Sequence, residues 1–280
     1  MFKPLVSDRL SWFRTEHRFL NFTEIANHDD YQNVISSQGA ANQLVMLGNG
    51  SNCLFARKTI KSFVVKNKLP KETVWKSKNQ LWASSSVPLM LILKECKKHR
   101  LDSFYYLSSV PATVGGAIAM NAGRGRKHYK TIFDFVKQVD AWTPTGPVSF
   151  SKSDLKIEYR HTIFIDQPNW FITGVLFEFA DTLSIDSENP IATRVKYSQE
   201  IQDHSGPNCG SVFKQFYPSI LRRLRGTGFK GASFSGKTTN WIVNHSKSPL
   251  GICLLIRLAK FLHICFRKKC KLEILSLIHI

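Results

Sequence analysis

From Ser109 to Gly123 the chain is made almost wholly of small residues. Ala112, Gly115, Gly116, Ala117, Ala119, Ala122 and Gly123 leave the backbone bare along it. Glycine permits positive φ and lets another backbone or a ligand come close. Such a segment is poor material for a core helix and good material for a wall against which a flat cofactor lies. A tightly packed buried turn is the alternative. A second stretch begins with the apolar run Leu44 to Leu47, which reads as a strand, and enters Gly48, Asn49, Gly50, Ser51 and Asn52. Leu54 and Phe55 then resume the apolar pattern. Strand, glycine-rich loop, strand is how backbone N–H groups are gathered into an anion cradle, although Asn-Gly is also a common hairpin turn. Two such segments about sixty residues apart fit a diphosphate-bearing cofactor better than two unrelated turns. A third candidate lies downstream: Gly231, Gly236, Lys237 and Thr238 satisfy the phosphate-loop spacing Gly-x4-Gly-Lys-[Ser/Thr] in full.

Residues 47–52 and 111–123 resemble the two FAD-binding loops of the UDP-N-acetylenolpyruvoylglucosamine reductase (UDP-N-acetylmuramate dehydrogenase) family. The likeness continues in the same order through Tyr159 and Arg160, through Gly210, Ser211, Val212, Phe213 and Lys214, and through Asn240, Trp241, Ile242, Val243 and Asn244. It covers most of the chain. The resemblance implies FAD contacts at Leu47, Gly48, Asn49, Gly50, Ser51, Asn52, Pro111, Thr113, Val114, Gly115, Gly116, Ala117 and Asn121. It implies that NADPH reduces FAD, that hydride then passes to the enolpyruvyl double bond of a UDP-sugar, and that a protein acid protonates the neighbouring carbon, in peptidoglycan precursor synthesis. An enolate beside a carboxylate needs positive charge and a proton donor. Arg160 matches the family's arginine, whose planar fork suits such a group, and Ser211 its proton-donating serine. Tyr159, Lys214, Lys237 and Asn240 are the expected substrate contacts.

Two departures stand out. The family's glycine-bearing Phe-Arg segment is replaced by Phe19, Leu20, Asn21, Phe22 and Thr23, which lack the glycines. The family closes on Leu-x-x-Glu; here Leu272 is followed by Leu275 at the glutamate position, and Glu273 stands two places early. Either the alignment shifts and Glu273 serves, or the catalytic acid is absent. The ending, residues 276–280, suggests a truncated or replaced terminus.

The chain's 280 residues suffice for a large core and suggest two domains, expected at 1–182 (FAD-binding) and 195–280 (substrate-binding), with 181–195 as linker. A net charge of +19 calls for an acidic partner; FAD, NADPH and a UDP-sugar all qualify. The six cysteines, 53, 96, 209, 253, 265 and 270, form no Cys-x-x-Cys pair and look reduced. A metal site at His263, Cys265 and Cys270 matches no common zinc spacing, and no metal is expected. The N-terminus has no signal-peptide core. The expectation is a cytoplasmic enzyme with no membrane partner and no obligate protein partner.

Elements must position these residues. Residues 1–40 look polar and irregular, and Phe63 to Val65 reads as a strand. Ser86 and Pro88 read as N-cap and early-turn proline of a helix whose apolar side is Leu89, Leu93 and Cys96, closed by Lys97 to Arg100. Val136 to Trp142 and Trp170 to Phe179 read as strands. Leu250 to Phe266, broken by Arg257 and Lys260, reads as a buried amphipathic helix through Ile252, Leu255, Ile256, Leu262 and Phe266 rather than as a membrane span.

The expected fold is α+β: a two-subdomain FAD-binding domain of vanillyl-alcohol-oxidase type, then a smaller α+β substrate domain. Alternatives remain. A homologue that binds FAD without turnover is one. A basic nucleic-acid binder using Arg222, Arg223 and Arg225 near Phe229 and Trp241 is another, with no nucleic-acid fold signature. The phosphate-loop reading would place Lys237 on phosphates and Thr238 on magnesium; against it stand the basic, glycine-broken run before it and the β-branched stretch after it.

Overall fold

The computed structural model describes residues 2–37, 44–124, 130–180 and 189–277, with side chains to Leu275. Seven α-helices lie among them: α1 (His28–Ser36), α2 (Leu89–Lys98), α3 (Val114–Ala119), α4 (Ile163–Asp166), α5 (Pro190–Ile201), α6 (Pro218–Arg223) and α7 (Leu250–Cys265). The chain forms two compact units. One is built from Thr23–Asn49 and Phe63–Tyr197; the other from Lys3–Phe22, Gly50–Ser62 and the residues from Ser198 onward.

The first unit is organised on a five-stranded antiparallel sheet. Its order is Gly146–Ser151, Val136–Thr143, Phe171–Glu178, Gln80–Ser84, Thr73–Trp75. Leu89, Ile92, Leu93 and Cys96 of α2 and Val114, Ala117 and Ile118 of α3 are buried together with Val139, Ala141, Val175 and Phe177 of the strands. Each fully buried aliphatic chain there contributes about 1.5–3 kcal/mol. A second core lies under α1, where Ile25, Tyr31, Val34, Leu44, Val65 and Phe171 meet. It backs a parallel pairing of the strand Leu44–Leu47 with Thr59–Asn67 in the register Leu44 to Phe63. Asn27 caps α1 by accepting from the Asp30 N–H at 2.9 Å.

The second unit is built on a three-stranded antiparallel sheet of Gly228–Phe229, Ala232–Phe234 and Ile242–Asn244. Helix α7 buries Ile252, Leu255, Ile256 and Ala259 into a core with Phe13, Leu54, Val212, Phe213, Phe234 and Ile242. It crosses the sheet closely at Gly251, where a Cβ would come within 2.2 Å of the Phe229 carbonyl oxygen. Two small pairings complete the unit: Phe213–Gln215 with Lys271–Leu272, antiparallel, and Cys53–Phe55 with Leu275–Leu277, parallel.

The α+β class is the one expected, and the apolar runs at Leu44, Phe63, Val136 and Trp170 are strands. Four expectations are corrected. Residues 1–40 are not irregular: Lys3–Ser7 and His17–Ile25 are strands and α1 follows. The first two pair antiparallel, Ser7 opposite His17. Alternate burial of His17, Phe19 and Ile25 against exposed Arg18 and Leu20 is the period-two signal that polar neighbours disguised. Ser86 does not cap α2. The cap position is Pro88, without a side-chain bond, and the Ser86 hydroxyl donates to the Pro70 carbonyl at 3.2 Å. The glycine-rich segment does hold a helix, α3, because packing overrides propensity. The expected linker splits: 181–188 lies outside the described residues, and Pro190 opens α5, capped by Asn189 accepting from the Ala192 N–H at 3.2 Å. Lys3–Phe22 and Gly50–Ser62 belong to the same compact unit as the residues from Ser198 onward.

Candidate functional site

In the first unit the two glycine-rich segments come together. The strand Leu44–Leu47 delivers Gly48 against the start of α3. A Cβ on Gly48 would lie 2.6 Å from Thr113 Oγ1, 3.5 Å from Gly116 Cα and 3.6 Å from Gly116 N. Only glycine lets the two backbones approach this closely. Asn49 Nδ2 donates to the Pro111 carbonyl at 2.6 Å, and the Lys66 ammonium to the Gly48 carbonyl. Thr113 caps α3, its hydroxyl accepting from the Gly116 N–H at 3.5 Å.

The serine-rich turn after Gln80–Ser84 backs this arrangement. Gly115 N donates to Ser85 O at 2.9 Å, Val114 N to Val87 O at 2.8 Å and Leu89 N to Ala112 O at 3.0 Å. A Cβ on Gly115 would strike Ser85 Cβ at 2.8 Å. Asn67 Nδ2 donates to Ser85 Oγ at 2.7 Å, fixing the turn from below. Lys66, Asn67 and Ser85 are therefore part of the site's support, and sequence reasoning missed them. Lys66 and Asn67 end an ordinary strand, and nothing in their spacing marks them.

The end of the segment is held by Arg160. Its Nη1 donates to Asn121 O at 3.2 Å and its Nη2 to Gly123 O at 2.7 Å, while the guanidinium stacks on Tyr159 at 5.4 Å. Both Asn121 and Arg160 have left-handed backbones, with φ of 42° and 57°. Asn121 Nδ2 donates to Glu158 O at 2.8 Å, yet its buried Oδ1 has no hydrogen-bond partner. A buried acceptor left without a donor costs about 1–3 kcal/mol. It is the signature expected where a ligand N–H or O–H completes the network.

These observations fit a bound flavin dinucleotide. Two backbones close enough to exclude any side chain leave a surface on which a pyrophosphate or a flat ring can rest, and Asn121 supplies an acceptor in search of a donor. Of the expected cofactor residues, Leu47, Gly48, Asn49, Pro111, Thr113, Val114, Gly115, Gly116, Ala117 and Asn121 are brought together in this unit. Val114, Gly115 and Ala117 are buried, their N–H groups bonded to Val87 O, Ser85 O and Thr113 O.

Gly50, Ser51 and Asn52 belong to the second unit. Gly50 has φ +68°, and a Cβ there would meet the Leu10 carbonyl oxygen at 2.2 Å; its own carbonyl accepts from Trp12 N at 3.1 Å. Asn52 Nδ2 donates to Glu273 O at 3.2 Å, and Glu273 N donates to Val212 O at 2.8 Å. The backbone thus places Glu273 beside the Ser211 segment, whereas Leu275 is committed to pairing with Cys53. Ser211 is half-buried, pairs with Trp241 and follows Gly210, whose φ is +72°. Buried Cys209, two places before it, has its thiol pushed up to about 12 by burial, so it stays protonated and is no nucleophile.

Asn240 joins Ser211's neighbourhood through structure. Its Oδ1 accepts from Phe213 N at 2.9 Å, its Nδ2 donates to Phe213 O at 2.8 Å, and its φ is 74°. Lys214, half-buried, lies on the strand so held. Lys237 points elsewhere, its ammonium donating to Gln199 O at 3.0 Å in α5.

The phosphate-loop pattern is a strand-to-strand connection between Ala232–Phe234 and Ile242–Asn244, with no helix after it. Its N–H groups are already used. Ser235 Oγ accepts from Lys237 N at 3.0 Å and Thr238 N at 2.8 Å while donating to Asp203 Oδ2 at 2.5 Å. Thr238 Oγ1 donates to Ile201 O at 3.1 Å. The loop is a built turn and not a phosphate cradle. None of the six cysteines is joined in a disulfide. His263 has both ring nitrogens engaged, one toward Ala259 O at 2.7 Å and one accepting from Tyr217 N at 2.9 Å. Among the described residues no His, Cys, Asp or Glu group is placed to hold a metal, and no helix is long and apolar enough to cross a membrane.

Comparison with known proteins adds to this geometry. A family model for an FAD binding domain matches residues 22–150. UDP-N-acetylenolpyruvoylglucosamine reductase of Aquifex aeolicus is 31% identical over 236 residues, covering 78% of this chain and 74% of that protein. The protein of the same name from Chlamydia felis is 24% identical over 235 residues, covering 81% and 77%. The solved structure of UDP-N-acetylenolpyruvylglucosamine reductase (MurB) from Thermus caldophilus superposes with a TM-score of 0.78 at 19% identity, over 99% of this chain and 98% of that one. That likeness is one of fold.

Proposed function

The chain belongs to the UDP-N-acetylenolpyruvoylglucosamine reductase family, and on that premise we propose that it reduces the enolpyruvyl group of UDP-N-acetylglucosamine enolpyruvate with NADPH through bound FAD. The observation that carries the reading is the closure of Gly48 on Thr113 and Gly116, with the unsatisfied Asn121 oxygen at the end of the same segment. FAD, once reduced by NADPH, supplies the hydride.

The chain's own residues bind, orient and protonate. Gly48, Asn49, Thr113, Gly115 and Gly116 hold the dinucleotide by backbone approach. Asn121 accepts a hydrogen bond from it. Arg160 fixes the segment's end through the Asn121 and Gly123 carbonyls, and its permanent charge is assigned to the carboxylate-bearing enolate that forms when hydride arrives. Ser211 is the assigned proton donor to that carbon. Glu273 is the assigned carboxylate, supported by its backbone bond to Val212, next to Ser211. Lys214 and Tyr159 are assigned to the substrate's anionic groups.

The test is an anaerobic spectrum of the purified protein. NADPH should bleach the flavin band, and the enolpyruvyl UDP-sugar should restore it. Ser211→Ala should bleach as wild type but return at least about a hundredfold more slowly, the usual worth of a general acid. A flavin that NADPH reduces and substrate never reoxidises, in the wild type, would instead mark a homologue that binds FAD without turnover. A protein that cannot be loaded with FAD would end the proposal.

A further inference from the structure

The outer face of α7 is apolar, exposed and ringed by cations. Helical spacing puts Leu250, Leu254, Arg257, Phe261 and Ile264 in one stripe, opposite the buried Ile252, Leu255, Ile256 and Ala259. Leu250 is 49% exposed, Phe261 61%, Ile264 73%, and Phe266, just past the helix, 53%. A face that ought to be polar in water is instead aliphatic and aromatic over most of a 16-residue helix. Tyr217 lies beside the helix's C-terminal half: its N–H is bonded to the buried His263 of α7, its ring is exposed, and Lys268 stands over it at 4.9 Å.

The charge along this part of the sequence is of one sign. Residues 204–272 contain 13 lysines and arginines and no aspartate or glutamate. Arg257 lies within the stripe, Lys260 flanks it, and Arg267, Lys268 and Lys269 follow at its end, all three exposed.

We propose that α7 and the turn after it form a docking face for an anionic lipid surface, the helix lying in the headgroup plane with Phe261, Ile264 and Phe266 inserted and Arg257, Lys260, Arg267, Lys268 and Lys269 among the headgroups. A second copy of the chain would bring like charges together and is disfavoured. A nucleic acid would use the cations but has no use for Leu250, Leu254 and Ile264, whereas apolar insertion beside cations is how interfacial helices bind. The sequence led to an expectation of no membrane partner; the proposal departs from it by placing the chain on a membrane without spanning it. The proposal goes beyond the reductase reading and does not rest on it.

The experiment is co-sedimentation of the full chain with vesicles of phosphatidylcholine alone and of phosphatidylcholine with an equal share of phosphatidylglycerol. Wild type should sediment only with the anionic vesicles, and less so as salt is raised. The triple variant R267Q/K268Q/K269Q should bind about a hundredfold more weakly, at about fivefold per charge. F261S/I264S should lose at least about tenfold through lost apolar insertion. Both sets are at exposed positions, and an unchanged melting temperature verifies their folding. Three results would overturn the proposal: vesicle binding indifferent to F261S/I264S, tighter binding to a random single-stranded DNA oligonucleotide that ignores F261S/I264S, or a concentration-dependent dimer that F261S/I264S abolishes.

Discussion

Asn240→Ala separates two readings of one residue. The family resemblance makes Asn240 a substrate contact; the structure makes it the clamp on the strand that follows Ser211. Asn240 is 7% exposed, and its amide meets both the N–H and the C=O of Phe213, at 2.9 and 2.8 Å. Alanine would leave two buried backbone groups unpaired, at about 1–3 kcal/mol each. Alanine also lacks the local hydrogen bonding by which asparagine tolerates a left-handed backbone, which adds about 1 kcal/mol of strain at φ +74°. The sum, about 3–7 kcal/mol, is a large part of the roughly 5–15 kcal/mol that holds a domain folded. At about 2–4 °C per kcal/mol it lowers the melting temperature by about 6–28 °C. Asn240→Gly, which relieves the strain but not the lost bonds, should be about 1 kcal/mol less damaging. Thermal melts of the two variants beside wild type decide it. A melting temperature within about 2 °C of wild type, with a raised KM for the UDP-sugar, would show that the amide addresses substrate and would refute the clamp.

Gly48→Ala should lower the visible flavin absorbance per chain severalfold, because its Cβ meets Thr113 Oγ1 at 2.6 Å. Gly48→Ala/Thr113→Ala should recover part of it despite losing a cap worth about 1 kcal/mol; equal retention in wild type and G48A would sink the cradle. Asp203→Asn should melt below wild type at neutral pH. Burial opposes ionisation of Asp203, but the Ser205 and Ser235 hydroxyls and the charge of Lys237 outweigh it and hold the carboxyl below its usual range. A depressed folded pKa gives stability that is complete above the unfolded value near 4 and is lost as pH falls through the folded one. The gap between wild type and variant should therefore close in melts run progressively below about pH 4, and a pH-independent gap would contradict the linkage. Gly50→Ala should fail to fold or melt far lower, since its Cβ would sit 2.2 Å from a backbone oxygen; a soluble variant with unchanged melting would overturn that contact.

The parts of the site that were legible in sequence were those where chemistry forces residue type. Gly48, Gly115 and Gly50 stand where any Cβ collides, and composition alone exposed them. The strands at Leu44, Phe63 and Val136 were legible because unbroken apolar runs bounded by turns have few other uses. The rest depended on partners far along the chain. Ser86 has the right type for an N-cap, but Pro70 sits close enough to take its hydroxyl. Residues 114–119 have poor helix propensity, and α3 forms because Ser85 and Val87 accept its first N–H groups. Lys237 completes a motif by spacing, while Asp203, through Ser235, decides what the loop does. Phe266 continues a helical apolar pattern and yet is 53% exposed, because pattern shows that a face is apolar and not what covers it.

Asn244 Nδ2 donates to the Phe13 carbonyl at 2.7 Å, joining residues 231 positions apart within the second unit. On the ribosome, at roughly 5–20 residues per second, Phe13 emerges about 10–50 seconds before Asn244 exists. The first strand pair leaves the tunnel early and waits, while Thr23–Asn49 and Phe63–Tyr197 can already assemble. Apolar Phe13 and Leu54, whose core partners lie beyond residue 208, stay open for that interval, a span in which a chaperone or a neighbouring nascent chain can reach them. Slowing or halting translation before residue 244 therefore leaves a body that has completed one unit and holds the loose ends of the other. Yield in a foreign host should depend on translation speed and chaperone supply more than on the stability of the finished protein.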